Sequence, residues 1–109
     1  MKLKNKISIY IPSTVNINQK MDNSEKVKQT EIFLSDLFGG CTSFKACGNW
    51  ISNNNQLVKE EVTIVYAFCD SKQFRKSKKA IIAYCKKLCA EMLQECISLE
   101  LNNKLYFID

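Results

Sequence analysis

The chain has 109 residues, of which 46% are hydrophobic and 25% are charged, and its formal net charge is +5. This length is common for a domain with one core, and the apolar fraction is too high for a disordered chain. No stretch has the ~20 consecutive apolar residues of a membrane-spanning helix. We therefore expect one globular domain over residues 1–109.

The chain has six cysteines and no histidine, which limits the metal sites and disulfides that it can form. The N-terminal segment lacks the long apolar stretch and the cleavage site of a signal peptide, so we expect a cytoplasmic chain with reduced thiols. No two cysteines have the CxxC spacing of a zinc site. We expect the cysteines to act as small core hydrophobes, and we expect neither a metal nor a cofactor.

The first half of the chain predicts a strand, a helix and one arm of a hairpin. Residues 6–12, KISIYIP, alternate apolar and polar side chains as a half-buried strand does. Asp22 and Glu25 have the spacing of a capping box at the start of a helix. Residues 41–52 alternate again, and the asparagines at 53–55 favour a hairpin turn.

The return strand of the hairpin, residues 57–69, has apolar side chains on both faces. The more apolar face carries Val58, Val62, Ile64, Tyr66 and Phe68, together with Glu60. The other face is mixed, with Thr63, Val65 and Ala67 among charged residues. We expect this mixed face to lie away from the helices and to be partly covered in a homo-oligomer.

The second half of the chain completes an α+β fold. Asp70 or Ser71 caps a second predicted helix, and a strand at 97–101, a turn at 102–103 and a return at 105–108 follow. The order β-α-β-β-α-β predicts a ferredoxin-like antiparallel sheet with two helices on one face and a small C-terminal hairpin.

A glycine pair follows the apolar end of the first predicted helix. Gly39 is interpreted mainly as the residue that ends this helix, because glycine tolerates the left-handed conformation found there. A ligand loop is the weaker alternative, since phosphate loops precede a helix whereas Gly39 and Gly40 follow one.

A small pocket beside this turn is the sharper hypothesis. Thr42, Trp50 and Glu60 lie on adjacent predicted strands and on the same expected face. Glu60 either accepts hydrogen bonds from its neighbours or lines such a pocket. The candidate ligand-binding residues are Thr42, Trp50, Glu60, Ser13, Thr14 and Gly40.

The second predicted helix has a basic side, formed by Lys72, Arg75, Lys76, Lys79, Lys86 and Lys87. This side is either a solvated face or a surface that binds phosphates of nucleic acid without sequence preference. The fold also resembles RNA-recognition domains, whose central strands stack bases on aromatic side chains. The strand VKEEVTIVYAF does not match their motif, so RNA recognition on the sheet is not expected.

Three segments, IYIPSTVNIN, FLSDLFGGCTSFKACGNW and LVKEEVTIVYAFC, resemble a group of small uncharacterised proteins encoded by bacterial phages, plasmids and conjugative elements. The shared pattern IPST, FGGxT, GxW and LVxE corresponds here to Ile11–Thr14, Phe38–Gly40 with Thr42, Gly48 with Trp50, and Leu57 and Val58 with Glu60. The resemblance covers nearly the whole chain and implies that the protein is encoded on a mobile DNA element. It brings no catalytic or binding residues.

The residues and this setting together predict a non-enzymatic binding protein. No histidine is present as a general base, and no serine or cysteine lies in a recognisable nucleophile elbow. We expect the protein to bind a host protein or to sequester a small anionic ligand such as a nucleotide, as an antagonist of host defence would. The alternative is sequence-independent nucleic-acid binding through the basic side of the second helix.

Overall fold

The computed structural model describes residues 1–15 and 19–109, so part of the predicted polar connection, residues 16–18, lies outside the described residues. The described residues form α1 (Ser24–Phe38), α2 (Ser71–Glu91), β1 (Asn5–Pro12), β2 (Thr14–Val15), β3 (Gln19–Lys20), β4 (Thr42–Ile51), β5 (Leu57–Cys69), β6 (Ile97–Leu101) and β7 (Lys104–Ile108). Every predicted helix and strand is present. The short hairpin of β2 and β3 was not predicted.

Five strands form one sheet in the order β4-β5-β1-β6-β7, and each neighbouring pair is antiparallel. The predicted α+β class, with two helices and an antiparallel sheet, is therefore confirmed. β1 lies in the middle, between β5 and β6. Strands β2 and β3 pair separately.

The core lies between the sheet and the two helices. Ile7, Ile9 and Ile11 point to one side of β1 because side chains of a strand alternate, and all three have no exposed surface. Leu34 of α1 and Ile81 of α2 are equally buried in the same cluster. Burying one such side chain contributes about 1.5–3 kcal/mol, so this face holds the fold together.

The two faces of β5 are the reverse of the expectation. Ile9 of β1 lies opposite Val65, which puts the odd-numbered residues of β5 on the side of the helices. Val65 and Ala67 are consequently buried, whereas Tyr66 and Phe68 lie on the side away from the helices. Alternation identifies two faces of a strand, but the neighbouring strand decides which one is covered.

Two of the three predicted helix-end residues, Gly39 and Asp70, have their expected role, and Asp22 does not. Gly39 ends α1 in the left-handed conformation, with φ of 87°, and its N–H donates to the Ser35 carbonyl at 2.7 Å. Asp70 starts α2 in a reciprocal capping box with Gln73. The box predicted for Asp22 is not formed, since its carboxylate accepts from the Ser24 N–H at 3.0 Å.

The cysteines fulfil their predicted role only in part. Cys69, Cys85 and Cys89 are buried, and burial raises the pKa of the Cys85 thiol to about 12. Cys47 is exposed, and Cys41 and Cys96 are half-buried; all six are free thiols. Among the described helices none is both long and apolar enough to cross a membrane.

Candidate functional site

The face of the sheet opposite the helices, named here the open face, carries the functional candidates. The strand registers place these side chains on it: Lys6, Ser8, Tyr10, Thr42, Phe44, Trp50, Glu60, Tyr66, Phe68, Glu100, Leu105 and Phe107. Phe44, Phe68 and Phe107 are 48%, 46% and 66% exposed. An apolar surface of this kind commonly marks an interaction site.

One end of the open face holds a cavity of about 250 Å³, named here the acidic cavity, against the connection between α2 and β6. Its polar lining includes Tyr10, Glu60 and Glu95. The Gln94 side chain closes one wall, because its amide donates to the Thr14 carbonyl at 2.8 Å. The cavity therefore combines an aromatic ring with two carboxylates, which suits a small cationic group.

Tyr10 enters this cavity as a neutral phenol. Burial of its side chain, and to a smaller extent the negative charge of Glu100, raise the pKa of Tyr10 above its usual value. At neutral pH the hydroxyl is protonated and can donate a hydrogen bond.

The structure separates the three residues of the predicted pocket. Glu60 lines the acidic cavity, whereas Thr42 lines another cavity of about 330 Å³ beside the glycine turn. Trp50 shares their face of the sheet but lies eight residues beyond Thr42 on β4, about 27 Å at ~3.4 Å per residue. Trp50 is 52% exposed at the end of the hairpin, which β1 does not reach.

The other predicted site residues are also dispersed. Gly40 lies with Thr42 in the cavity beside the glycine turn. Ser13 lines a third cavity of about 230 Å³, and its hydroxyl donates to the Glu61 carbonyl at 2.6 Å. Thr14 belongs to β2, where its carbonyl receives the Gln94 amide.

The predicted basic side of α2 is present as a surface. Lys72, Arg75, Lys76, Lys79, Lys86 and Lys87 are all exposed. Within the described part of the chain, the ion pair found is between Lys26 and Glu91 at 2.7 Å, and it includes none of these six. Phosphate binding by this side stays a prediction.

Sequence reasoning missed Tyr10 and Glu95. Tyr10 lies in the alternating segment KISIYIP, and Glu95 lies between the second predicted helix and the strand at 97–101, and neither was among the candidate residues. Nothing in the sequence brings these two residues to Glu60, because their approach depends on the pairing of β1 with both β5 and β6.

The whole fold recurs in a phage SAM lyase. The structure of that lyase in complex with S-methyl-5′-thioadenosine has 16% sequence identity and a TM-score of 0.68, and the match covers 99% of this chain and 91% of the lyase. The apo state of a phage SAM lyase has 16% identity and a TM-score of 0.61, over 95% of this chain and 87% of the lyase. No protein-family profile and no curated protein matches the chain.

These neighbours overturn the expectation that the chain is not an enzyme. That expectation was based on the absence of histidine and of a nucleophile elbow. The two solved structures described above are both of phage SAM lyase, and the fold is shared along nearly the whole chain. The missing groups are those of hydrolases and acid–base catalysts, so their absence does not mark a binding protein.

Proposed function

We propose that the chain binds a sulfonium nucleoside, S-adenosylmethionine, in the acidic cavity and cleaves it to release S-methyl-5′-thioadenosine. The observation that carries this proposal is the full-length likeness to the lyase bound to that nucleoside. The charge of the cavity alone would suit many small cations. The structural similarity to the lyase is the reason for proposing S-adenosylmethionine among them.

The acidic cavity supports the proposal by its charge. The ligand carries a positive sulfonium and a positive ammonium, and Glu60 and Glu95 supply two carboxylates near the ring of Tyr10. A volume of about 250 Å³ is small for a whole nucleoside. The adenosine therefore extends from the cavity over the open face.

The proposed cleavage of S-adenosylmethionine does not require a histidine, and this chain has none. Release of methylthioadenosine breaks the bond between the sulfonium sulfur and the γ carbon of the amino-acid part. The carboxylate of the ligand itself attacks that carbon, the sulfur keeps the bonding electron pair, and the second product is a five-membered lactone. The leaving thioether is neutral and takes no proton, so no general acid is required.

The protein groups act on this step mainly by positioning. Negative charge stabilises the sulfonium more before the bond breaks than after it, so Glu60 binds the ground state at least as well as the transition state. The rate enhancement then comes from holding the carboxylate of the ligand in line with the γ carbon. Tyr10 and Glu95 limit the orientations of the ligand.

The test is conversion of S-adenosylmethionine by the purified protein, followed by chromatography of methylthioadenosine. Glu60→Gln is expected to lower kcat/KM about tenfold or more, since it removes a charged contact. Glu61→Gln is the matched control, because Glu61 is the next residue of β5 and lies on the opposite face. No product above the enzyme-free rate, or equal losses in both variants, would contradict the proposal.

We further propose the ferredoxin-like arrangement for this sheet and a phage or related mobile element as its source. The order β4-β5-β1-β6, with β7 added at the edge, supports the first. The phage origin of both structural neighbours supports the second. Homo-oligomerisation and binding of a host protein stay predictions from the sequence.

A further inference from the structure

The first half of α2 carries a dense group of positive side chains. Its basic residues are all exposed, and we name them the basic patch: Lys72, Arg75, Lys76, Lys78 and Lys79. Each lies three or four residues from another member, so their side chains are neighbours on the helix surface. The first acidic residue of α2 is Glu91, at its last position. The charges of the patch are therefore not interleaved with carboxylates along the helix.

The basic patch does not serve the fold. Like charges three or four residues apart destabilise a helix. Among the described residues the ion pair found joins Lys26 to Glu91, outside the patch. Asp70 directly precedes the helix, and its carboxylate accepts a hydrogen bond from the Gln73 N–H at 2.7 Å. The patch is thus unfavourable within the chain, and an external anion would relieve the repulsion among its members.

The other basic residues of the predicted basic side, Lys86 and Lys87, are in a different setting. Lys86 lies seven residues beyond Lys79, about 10 Å along the helix at ~1.5 Å per residue. A hydrogen bond from Lys26 and, to a smaller extent, the charge of Lys87 hold the pKa of Glu91 below its usual value. Lys87 therefore lies near an acidic group. The basic side predicted from the sequence consequently divides into two parts.

The shape and composition of the patch limit its partner. The cavities of about 230, 250 and 330 Å³ are lined by other residues, so the patch is an open surface that suits an extended polyanion better than a small one. The aromatic residues of α2, Phe74 and Tyr84, pack against the core instead of offering rings for base stacking. Ile81 and Leu88 are buried as well, so the helix has no apolar side left to enter a lipid bilayer.

We propose that the basic patch binds the backbone phosphates of double-stranded DNA without reading its sequence. From Lys72 to Lys79 the patch extends about 10 Å along the helix. Duplex DNA carries one negative charge per about 1.7 Å of its axis, so about six phosphate charges fit this length. The major groove of B-form DNA is about 12 Å wide and admits a helix, whereas that of an RNA duplex is too narrow. Charge density and groove width together favour DNA.

The basic patch is separate from the proposed lyase site. Lys79 lies twelve residues before Glu91, about 18 Å along the helix, and the acidic cavity lies beyond that end of α2. The patch is on the helix side of the sheet, whereas the cavity is on the open face. Substitutions in the patch are expected to leave the release of methylthioadenosine unchanged, so the two proposals can fail separately.

The experiment is fluorescence anisotropy with a labelled DNA duplex of about 20 base pairs in about 50 mM salt. Lys76→Gln with Lys79→Gln removes two charges and keeps the length of the side chains. We expect it to weaken binding about tenfold or more and to lower the slope of log affinity against log salt by about 1.8, because each phosphate contact contributes about 0.9. If circular dichroism shows that this variant unfolds, Lys72→Gln with Arg75→Gln replaces it.

Lys86→Gln with Lys87→Gln is the matched control, because it removes the same charge from the same helix outside the patch. Its slope is expected to fall by less than about half as much. Lys76→Arg with Lys79→Arg keeps the charge and is expected to bind as the unchanged protein does. A duplex of unrelated sequence is expected to bind within about twofold of the first.

Four outcomes would overturn the proposal. They are no binding to the duplex at about 50 mM salt, equal losses in the two glutamine variants, tighter binding to an RNA duplex or to a single strand of the same length, and binding to phosphatidylserine vesicles that Lys76→Gln with Lys79→Gln abolishes while DNA binding persists. Equal losses would mean attraction to the net charge alone, and the last outcome would assign the patch to a lipid surface.

Discussion

The two faces of the sheet differ most clearly along β1. On the helix side, Ile7, Ile9 and Ile11 have no exposed surface. On the open face, Lys6 and Tyr10 alternate with them and retain polar groups in contact with solvent. One strand thus stabilises the fold with one set of side chains, and with the other set it contributes Tyr10 to the acidic cavity. Substitutions on the two faces should accordingly have different consequences.

Thiol reactivity should show the largest contrast between covered and uncovered parts of the molecule. The pKa of Cys85 is raised to about 12 by burial, so its thiolate fraction at pH 8 is about 10⁻⁴. We expect iodoacetamide to alkylate Cys85 roughly a thousandfold more slowly than the exposed Cys47, as measured by mass spectrometry of peptides. Both should react alike in guanidinium. Fast labelling of Cys85 in the folded protein would mean that solvent and reagent reach the core.

Ile9→Ala should have the largest effect on stability. Ile9 has no exposed surface and pairs with Val65 on one side and Leu99 on the other. We expect a loss of about 2–5 kcal/mol in the free energy of unfolding, from lost burial and the cavity left behind. Urea denaturation followed by circular dichroism measures it. A loss below about 1 kcal/mol would show that the helices do not seal this face.

Ser8→Ala should act in the opposite direction. Ser8 is 1% exposed on the open face, and its hydroxyl has no hydrogen-bond partner among the described residues. An unpaired buried hydroxyl carries a desolvation cost, so we expect a gain of about 1 kcal/mol in the free energy of unfolding. The same urea titration applies. A lower stability would indicate that the hydroxyl has a partner in solution.

Phe107→Ala should have the smallest effect, although it removes a whole aromatic ring. Phe107 is 66% exposed on the open face. We expect a change within about 0.5 kcal/mol, because a surface side chain away from caps and networks contributes little. A shift in the thermal midpoint as large as that of Ile9→Ala would mean that something covers this edge of the sheet.

Local signals explain how much of the fold was predictable. Gly39 and Asp70 mark helix ends by their own conformation and hydrogen bonds. Asn102 and Asn103 adopt positive φ angles of 52° and 71° and turn the chain between β6 and β7. Each of these signals involves neighbours in sequence, so one sequence is enough to recognise them.

The faces of β5 and the acidic cavity depend on partners distant in sequence. Residues 62–69 are apolar on both sides, and only the pairing with β1 selects Val65 for the core and Tyr66 for the open face. Glu60 and Tyr10 meet for the same reason. The separation of Thr42 from Trp50 is different, because the length of a strand already places eight residues about 27 Å apart.

The central position of β1 also bears on how the protein is made. Ile9 pairs with Val65 and Leu99, so β1 cannot pair until the residues near 65 and 99 have been synthesised. Until then its isoleucines are exposed to solvent and to other nascent chains. The sheet can therefore assemble only after β5 and β6 have been synthesised, and its long-range pairings favour slow folding.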